Sequence, residues 1–204
     1  MQKVYEPATV ITDGLITLLG IYIGFDLLQY SFFSFQYLWG IAFFGMALSA
    51  LFGAIRHGWG PHWNKSASIT LNRLTYFGIG VTTVTMLFAS VGWFFESESC
   101  LLQIIIGLSF FVYIFFAFKQ MRFRIVIYYY FPTLALIFIA MTIGWIQEEV
   151  GAGQVAIGLG ISFVAAGIQM SGWNIHRHFN HNDLYHVIQL LGMWVVYEGV
   201  LLIK

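Results

Sequence analysis

Charged side chains are scarce in this sequence of 204 residues. Aspartate, glutamate, lysine and arginine together make up 9% of it, whereas hydrophobic residues make up 59%. An ordinary soluble domain carries about 25% charged residues, because its surface must face water. This chain has too few charges for such a surface. The composition therefore excludes an ordinary soluble domain and indicates an integral membrane protein that is surrounded by lipid.

Cysteine is nearly absent, and so is any excess of positive charge. The single Cys100 has no partner for a disulfide within the chain, and the formal net charge is zero. The basic residues are spread over separate loops and form no stripe that interleaves with aromatic residues, so we expect no nucleic-acid partner. The expected partners are membrane lipids, and the sequence leaves the oligomeric state open.

Long apolar runs dominate the sequence instead. Each is close to the roughly 20 residues that cross about 30 Å of hydrocarbon as a helix. None has the alternating pattern of a transmembrane barrel, so we predict an all-α bundle of seven membrane-spanning helices. The connections are short, which predicts a single domain over residues 1–204. The predicted spans cover about 8–28, 34–55, 68–94, 99–118, 124–146, 152–174 and 183–203.

The basic residues are distributed unequally between the two sides of this predicted bundle. Eight of the nine fall on the side of the amino terminus, and only Lys204 falls on the other. Because basic residues accumulate in cytoplasmic loops, we predict a cytoplasmic amino terminus and an outside carboxyl terminus. The eight are Lys3, Arg56, Lys65, Arg73, Lys119, Arg122, Arg124 and Arg177.

A few polar residues lie inside the spans rather than in loops. Asp13 lies in the first span, His57 ends the second, and Asp183, His186 and Gln189 lie at the start of the seventh. A charged side chain within the hydrocarbon is unfavourable by at least about 2.5–3.5 kcal/mol and is therefore a functional hypothesis. All these positions are at the same end of their helices. We expect Asp13, His57, Asp183 and His186 to face a common cavity.

Four of the six histidines lie between residues 176 and 186, just before the last span. Asn182 stands just before an apolar run, and Asp183 comes directly after Asn182. This order is typical of a helix start with Asn182 as the N-cap and Asp183 in the first turn. In that case His178 and His181 belong to a loop that can fold over the site. On one continuous helix, by contrast, His178, Asn182 and His186 form one column.

Two short motifs carry a resemblance to a known family. Residues 53–57 read GAIRH at the end of the second span, and residues 182–186 read NDLYH at the start of the seventh. Together with seven spans and an inside amino terminus, they resemble the CREST superfamily of alkaline ceramidases, adiponectin/progestin-type receptors and related membrane hydrolases. In that superfamily the corresponding elements are Ser-x3-His, an aspartate at span three, and His-x3-His, and the histidines bind zinc.

The sequence departs from that pattern at three places. Gly53 stands at the position of the serine, and Asn182 at the position of the first histidine of span seven. No aspartate occurs near the start of span three, where Ser68 and Asn72 are the nearest polar residues. Asparagine is a poor zinc ligand, because zinc prefers imidazole, thiolate and carboxylate groups.

The resemblance implies a zinc ion bound by His57 and His186, with a third ligand that the residues leave open. The candidates are His181 from the loop, His178, Asp183 and Asp13. An open zinc position would activate water, and Asp13 or Asp183 could act as the general base. The leading hypothesis is thus a zinc-dependent, ceramidase-like hydrolase of a lipid amide or ester at the cytoplasmic interface. The alternative is a receptor-like or proton-coupled transport protein that uses the same Asp/His layer without chemistry.

Overall fold

The computed structural model describes residues 4–95, 100–176 and 179–203. Within these residues the chain forms seven α-helices and no strand, apart from one isolated bridge between His176 and Phe179. The predictions of orientation and of the metal site also used Lys3, Arg177, His178 and Lys204, which lie outside the described residues. The helices are α1 (Pro7–Leu27), α2 (Phe35–Trp59), α3 (Lys65–Phe95), α4 (Cys100–Gln120), α5 (Phe123–Ile146), α6 (Ala152–Ser171) and α7 (His181–Leu202).

The all-helical fold predicted from the apolar runs is confirmed, and the helices lie close to the predicted spans. In the described part of the chain, all seven are long and apolar enough to cross a bilayer, which is compatible with an integral multi-pass membrane protein. The largest shift is at the end of the second span, where α2 continues through His57 to Trp59. His57 therefore belongs to the last helical turn, followed by a short 3₁₀ turn at Gly60–His62.

Glycines allow two pairs of neighbouring helices to approach closely. A Cβ atom on Gly78 of α3 would lie 2.8 Å from the carbonyl oxygen of Gly45 in α2, which is closer than real contacts allow. In the same way, a Cβ atom on Gly158 of α6 would lie 2.8 Å from the carbonyl oxygen of Gly192 in α7. Small residues at such crossings let backbones pack directly, which is how helices associate in lipid. These contacts fix α2 against α3 and α6 against α7.

Polar contacts close the bundle between its first and last helices. The Thr9 hydroxyl of α1 donates to Asp183 Oδ1 of α7 over 2.8 Å, near one end of both helices. Near the other end, the Tyr197 hydroxyl of α7 donates to Asp26 Oδ2 of α1, also over 2.8 Å. Because these bonds lie at both ends, they set the register of α1 against α7.

The outer surface of the bundle is apolar, most clearly along α4. Leu101, Leu108, Phe111 and Phe115 of this helix are all exposed. A contiguous apolar surface of this kind suits lipid rather than water. In α5, Pro132 lies inside a continuous helix, as membrane helices tolerate when neighbouring groups satisfy the freed backbone.

Candidate functional site

A cavity of about 460 Å³ lies inside the bundle and reaches its surface. Six of the helices line it, and α4 contributes none of the lining residues described. Its volume falls within the range of about 300–1,000 Å³ that is typical of small-molecule sites. Most of the wall is apolar, and the polar side chains in it are few. They are Asp13, Ser49, His57, Thr75, Thr82, Tyr130, Ser162, Gln169, Tyr185, His186 and Gln189.

Asp13 and His186 form a buried pair in the cavity wall, between α1 and α7. His186 Nε2 lies 3.2 Å from Asp13 Oδ1, and the two side chains are only 10% and 6% exposed. The other ring nitrogen, Nδ1, lies 2.9 Å from the hydroxyl of Thr12, one residue before Asp13. Both ring nitrogens therefore have protein partners, which fix the orientation of the imidazole.

The hydroxyl of Thr12 constrains where the protons of this network lie. It donates to the Thr9 carbonyl oxygen over 3.2 Å, and a hydroxyl has only one proton to donate. While that bond is made, His186 Nδ1 must be the donor toward Thr12. The contact between His186 Nε2 and Asp13 then requires a proton of its own, either on the carboxyl group or on the ring. The pair is thus arranged to hold one exchangeable proton at the cavity.

Gly53 of α2 leaves room for the second oxygen of the Asp13 carboxylate. A Cβ atom at Gly53 would lie 3.3 Å from Asp13 Oδ2, closer than most carbon contacts. This point of α2 therefore faces the buried pair. A glycine there leaves Oδ2 unobstructed on the α2 side, while His186 holds Oδ1.

His57 lies at the rim of the same cavity and has a carboxylate of its own. Its Nδ1 is 2.7 Å from Glu6 Oε2, and both side chains are 33% exposed. Glu6 is brought there because the segment before α1 packs on the end of α2, where the Tyr5 N–H donates to the Gly58 carbonyl oxygen over 3.0 Å. The cavity therefore has two histidine–carboxylate pairs, one at its rim and one in its wall.

Asp183 lies at the start of α7, where it stabilises the helix rather than lining the cavity. The predicted N-cap, Asn182, is wrong: α7 begins at His181, and Asn180 is the N-cap. The Asn180 side chain accepts from the Asp183 N–H over 3.4 Å, and Asp183 Oδ2 accepts from the Asn180 N–H over 2.7 Å. This reciprocal pattern is a capping box. The helix starts two residues earlier than predicted, because the sequence offers two asparagines before the apolar run and the first of them is the cap.

Of the candidate third metal ligands, Asp13 contacts His186, whereas His181 does not join His57 and His186 at the cavity. His181 contacts Asn174 instead, with Nδ1 and the backbone N–H each 2.9 Å from the Asn174 amide oxygen, and it is not among the cavity-lining residues. His178 lies outside the described residues. Over residues 4–95, 100–176 and 179–203, no three His, Cys, Asp or Glu side chains are arranged to hold a metal ion. The donors in these positions therefore do not fit a zinc ion.

Polar side chains from α6 and α7 complete the opposite wall. The Gln189 amide donates to the Ser162 hydroxyl over 3.1 Å, and that hydroxyl donates to the Gly158 carbonyl oxygen over 3.1 Å. Nearer the rim, the Gln169 amide donates to the Asn182 amide oxygen over 3.2 Å. Asn182 thus binds a neighbouring helix, α6.

The described geometry can be compared with known families. The sequence profile of a family of unknown function, DUF6962, matches residues 8–204. The chain belongs to this family. The match covers all seven helices, so it applies to the whole bundle and to the cavity within it. No curated protein matches the sequence.

Some polar groups at or next to the cavity were missed in the sequence. Thr12, the partner of His186, and Glu6, the partner of His57, are ordinary residues for the second turn of a helix and for a segment before a helix. Thr75 was also missed: Ser68 and Asn72 were singled out on α3, but neither lines the cavity, whereas Thr75 does. The available signal was its helical spacing to Thr82, seven residues further on, which puts both hydroxyls on one face.

Proposed function

We propose that this protein is a membrane-embedded hydrolase that cleaves a lipid-like amide or ester, with Asp13 as the base that activates water. The observation that carries the proposal is a carboxylate only 6% exposed in the wall of a cavity of about 460 Å³. A carboxylate in such a place is unfavourable for the bundle and marks a functional site. His186 holds one of its oxygens, and the gap at Gly53 leaves the other unobstructed.

The reaction requires one proton acceptor near the carbonyl group of the substrate. The oxygen of a water molecule attacks the carbonyl carbon, and Asp13 accepts the proton of that water. When the tetrahedral intermediate collapses, the bond from the carbonyl carbon to the leaving nitrogen or oxygen breaks, and Asp13 returns the proton to the leaving atom. His186 is a positioning residue in this scheme, since it touches Asp13 Oδ1. Asp183, predicted as a second catalytic carboxylate, acts through the start of α7 that carries His186.

The place where the cavity opens supports the proposal of a lipid-like substrate. Phe131 of α5 and Met170 of α6 line the cavity, yet they are 51% and 81% exposed on the outer surface of the bundle. In a membrane this surface faces hydrocarbon. The cavity is therefore accessible to an acyl chain from the side of the bilayer, and the Asp13–His186 pair lies where the polar group of such a molecule would stop.

The test is hydrolysis of 4-nitrophenyl decanoate and of 4-nitrodecananilide by protein in lipid nanodiscs. Asp13→Asn keeps the shape of the side chain but removes the base, so we expect the rate to fall at least about 100-fold. Asp26→Asn is the matched control, because Asp26 lies at the other end of α1 and contacts Tyr197. Equal rates for Asp13→Asn and the parent would overturn the proposal.

Zinc bound by His57, His186 and His181, as in the CREST superfamily, stays a prediction. The described donors do not form a three-ligand set, so no step of the proposed reaction is assigned to a metal. Elemental analysis of protein purified without a histidine tag decides this point. Near-stoichiometric zinc that is lost in both His57→Ala and His186→Ala would support the metal site. Folded parent protein without zinc, even after incubation with the metal, would remove it.

A second candidate function is receptor-like signalling or proton-coupled transport that uses the same Asp/His layer without chemistry. The observation that favours it is that both ring nitrogens of His186 contact protein groups, so the pair can store a proton without a substrate. This function would replace the hydrolase if two results were found. Liposomes containing the parent would take up protons, whereas those containing Asp13→Asn would not, and the parent would hydrolyse neither substrate.

We also propose that the amino terminus is cytoplasmic and the carboxyl terminus outside. Among the described residues, the basic side chains Arg56, Lys65, Arg73, Lys119, Arg122 and Arg124 all lie at the same end of the helices, with the start of α1. Such an excess is typical of the cytoplasmic side. A carboxyl-terminal reporter that is active only in the cytoplasm should stay silent, and a strong signal from it would contradict this orientation.

A further inference from the structure

Thr75 of α3 differs from the other threonines of its helix. The hydroxyls of Thr82, Thr83 and Thr85 each donate to a backbone carbonyl four residues earlier, over 3.1, 2.7 and 2.8 Å. That bond is the usual way for a threonine to satisfy its hydroxyl inside a helix. Thr75 Oγ1 is buried and has no hydrogen-bond partner among the described residues. A buried polar group of this kind is rare in folded proteins and requires an explanation.

Thr75 lies at the depth of the buried Asp13–His186 pair. Since α2 and α3 are antiparallel and Gly78 faces Ser49 in the contact between them, one further turn brings Gly53 of α2 level with Thr75 of α3. Gly53 in turn faces the Asp13 carboxylate. Thr75 and Asp13 therefore line the same cavity at one level, on either side of α2.

We propose that the Thr75 side chain turns its buried, unpartnered hydroxyl toward the cavity on binding and donates it to the carbonyl oxygen of the ligand, opposite Asp13. The inference rests on the proposed function and deepens it, since it assigns a specificity-determining residue and a substrate class. A hydroxyl donor on one side and a carboxylate on the other match the two parts of a hydrolytic site, because the carbonyl oxygen needs a donor and the attacking water needs an acceptor. The ligand is thus an acyl amide or ester.

The apolar part of the wall supports this class of ligand. Ile79, one turn along α3 from Thr75, and Leu134 of α5 line the cavity together with Ile16 of α1. They give the wall beyond this level apolar surface against which an acyl chain would pack. A ligand without a carbonyl or another acceptor would leave Thr75 unsatisfied, which is the basis of discrimination.

The test uses Thr75→Val, which replaces the hydroxyl by a methyl group of similar size, and Thr75→Ser, which keeps the hydroxyl. Thr83→Val is the matched control, because Thr83 lies on the same helix, is buried and has its hydroxyl bonded to Ile79. Binding of N-butyl decanamide to each protein in nanodiscs is measured by titration calorimetry. We expect Thr75→Val to weaken the affinity about three- to tenfold. Thr75→Ser and Thr83→Val should bind within about twofold of the parent, a smaller effect than one lost hydrogen bond.

Thermal unfolding without the ligand separates binding from structure. Because Thr75→Val removes an unpartnered group, it should unfold at or above the temperature of the parent. If Thr75→Val unfolds at a lower temperature than Thr83→Val, the Thr75 hydroxyl has a structural partner and the proposal is overturned. Unchanged affinity in Thr75→Val, or a parent that does not bind the amide, would overturn it as well.

The two proposals fail in different ways. If Asp13→Asn abolishes hydrolysis while Thr75→Val binds the amide like the parent, only the assignment of Thr75 is wrong. If the amide binds through Thr75 but the parent hydrolyses neither nitrophenyl substrate, the cavity is a binding site for acyl amides and the hydrolase is wrong.

Discussion

Replacing Gly53 with alanine would place one methyl group against the carboxylate of Asp13, and the structure gives the size of the disturbance. The added Cβ would lie 3.3 Å from Asp13 Oδ2, so one of the two groups must shift by a few tenths of an ångström. Asp13 has little freedom to move away, because its Oδ1 lies 3.2 Å from His186 Nε2. The substitution therefore disturbs the proposed base without removing any polar group.

The effect on activity should be larger than the effect on stability. Alanine stabilises a helix interior relative to glycine by roughly 0.5–1 kcal/mol, and the close contact with Asp13 Oδ2 offsets this gain, so Gly53→Ala should unfold near the temperature of the parent. Misplacement of a reacting group by about 1 Å lowers rates by about 100-fold. A shift of a few tenths of an ångström should then lower the hydrolysis rate about three- to tenfold.

Gly14→Ala is the matched control for this substitution. Gly14 is next to Asp13 in the sequence, and a Cβ atom there would have no neighbour within 4 Å. Gly14→Ala should unfold at or above the temperature of the parent and Gly53→Ala near it, and only Gly53→Ala should lose hydrolysis of 4-nitrophenyl decanoate. Equal rates in the two variants would refute the reasoning that Asp13 Oδ2 is the reactive oxygen of the cavity.

Three further substitutions test the packing of the bundle by thermal unfolding in detergent. Gly78→Ala would place a Cβ atom 2.8 Å from the backbone of α2 and should destabilise the fold by about 1–3 kcal/mol, whereas Gly92→Ala, with no neighbour within 4 Å, should not. Asn180→Ala removes the capping box of α7 and should destabilise by about 1 kcal/mol; an unchanged unfolding temperature would count against that cap. Tyr197→Phe removes the 2.8 Å bond to Asp26 and should destabilise by about 0.5–1.5 kcal/mol, and no effect would show that this bond does not hold α1 to α7.

The candidate site was predictable only in part. Counting residues along each apolar run was enough to place Asp13, His57 and His186 at one end of their helices. The structure brings all three to one cavity. The carboxylate that each histidine meets was not predictable. His57 pairs with Glu6, 51 residues away, and His186 with Asp13, because these pairings depend on how each helix is rotated about its axis. No property of the separate spans fixes that rotation.

The sequence could not predict that Thr75 is unusual at this site. A threonine in an apolar helix normally satisfies its hydroxyl on its own backbone, so its residue type predicts nothing unusual. Its lack of a partner among the described residues emerges only when the walls of the cavity are assembled. The predicted N-cap of α7 was wrong for a related reason: both Asn180 and Asn182 suit a cap, and the capping box with Asp183 decided between them.

The sequence by itself determined the seven helices and the level of their polar residues. Apolar runs of about 20 residues have few alternatives in lipid, where every backbone group must be bonded within the helix. The tertiary structure alone decided which polar side chains meet. Those contacts depend on helix crossings set by small residues such as Gly45 and Gly78, and on bonds between residues as distant as Thr9 and Asp183. Such contacts have no periodicity along the chain, since each arises from the way two separate helices pack.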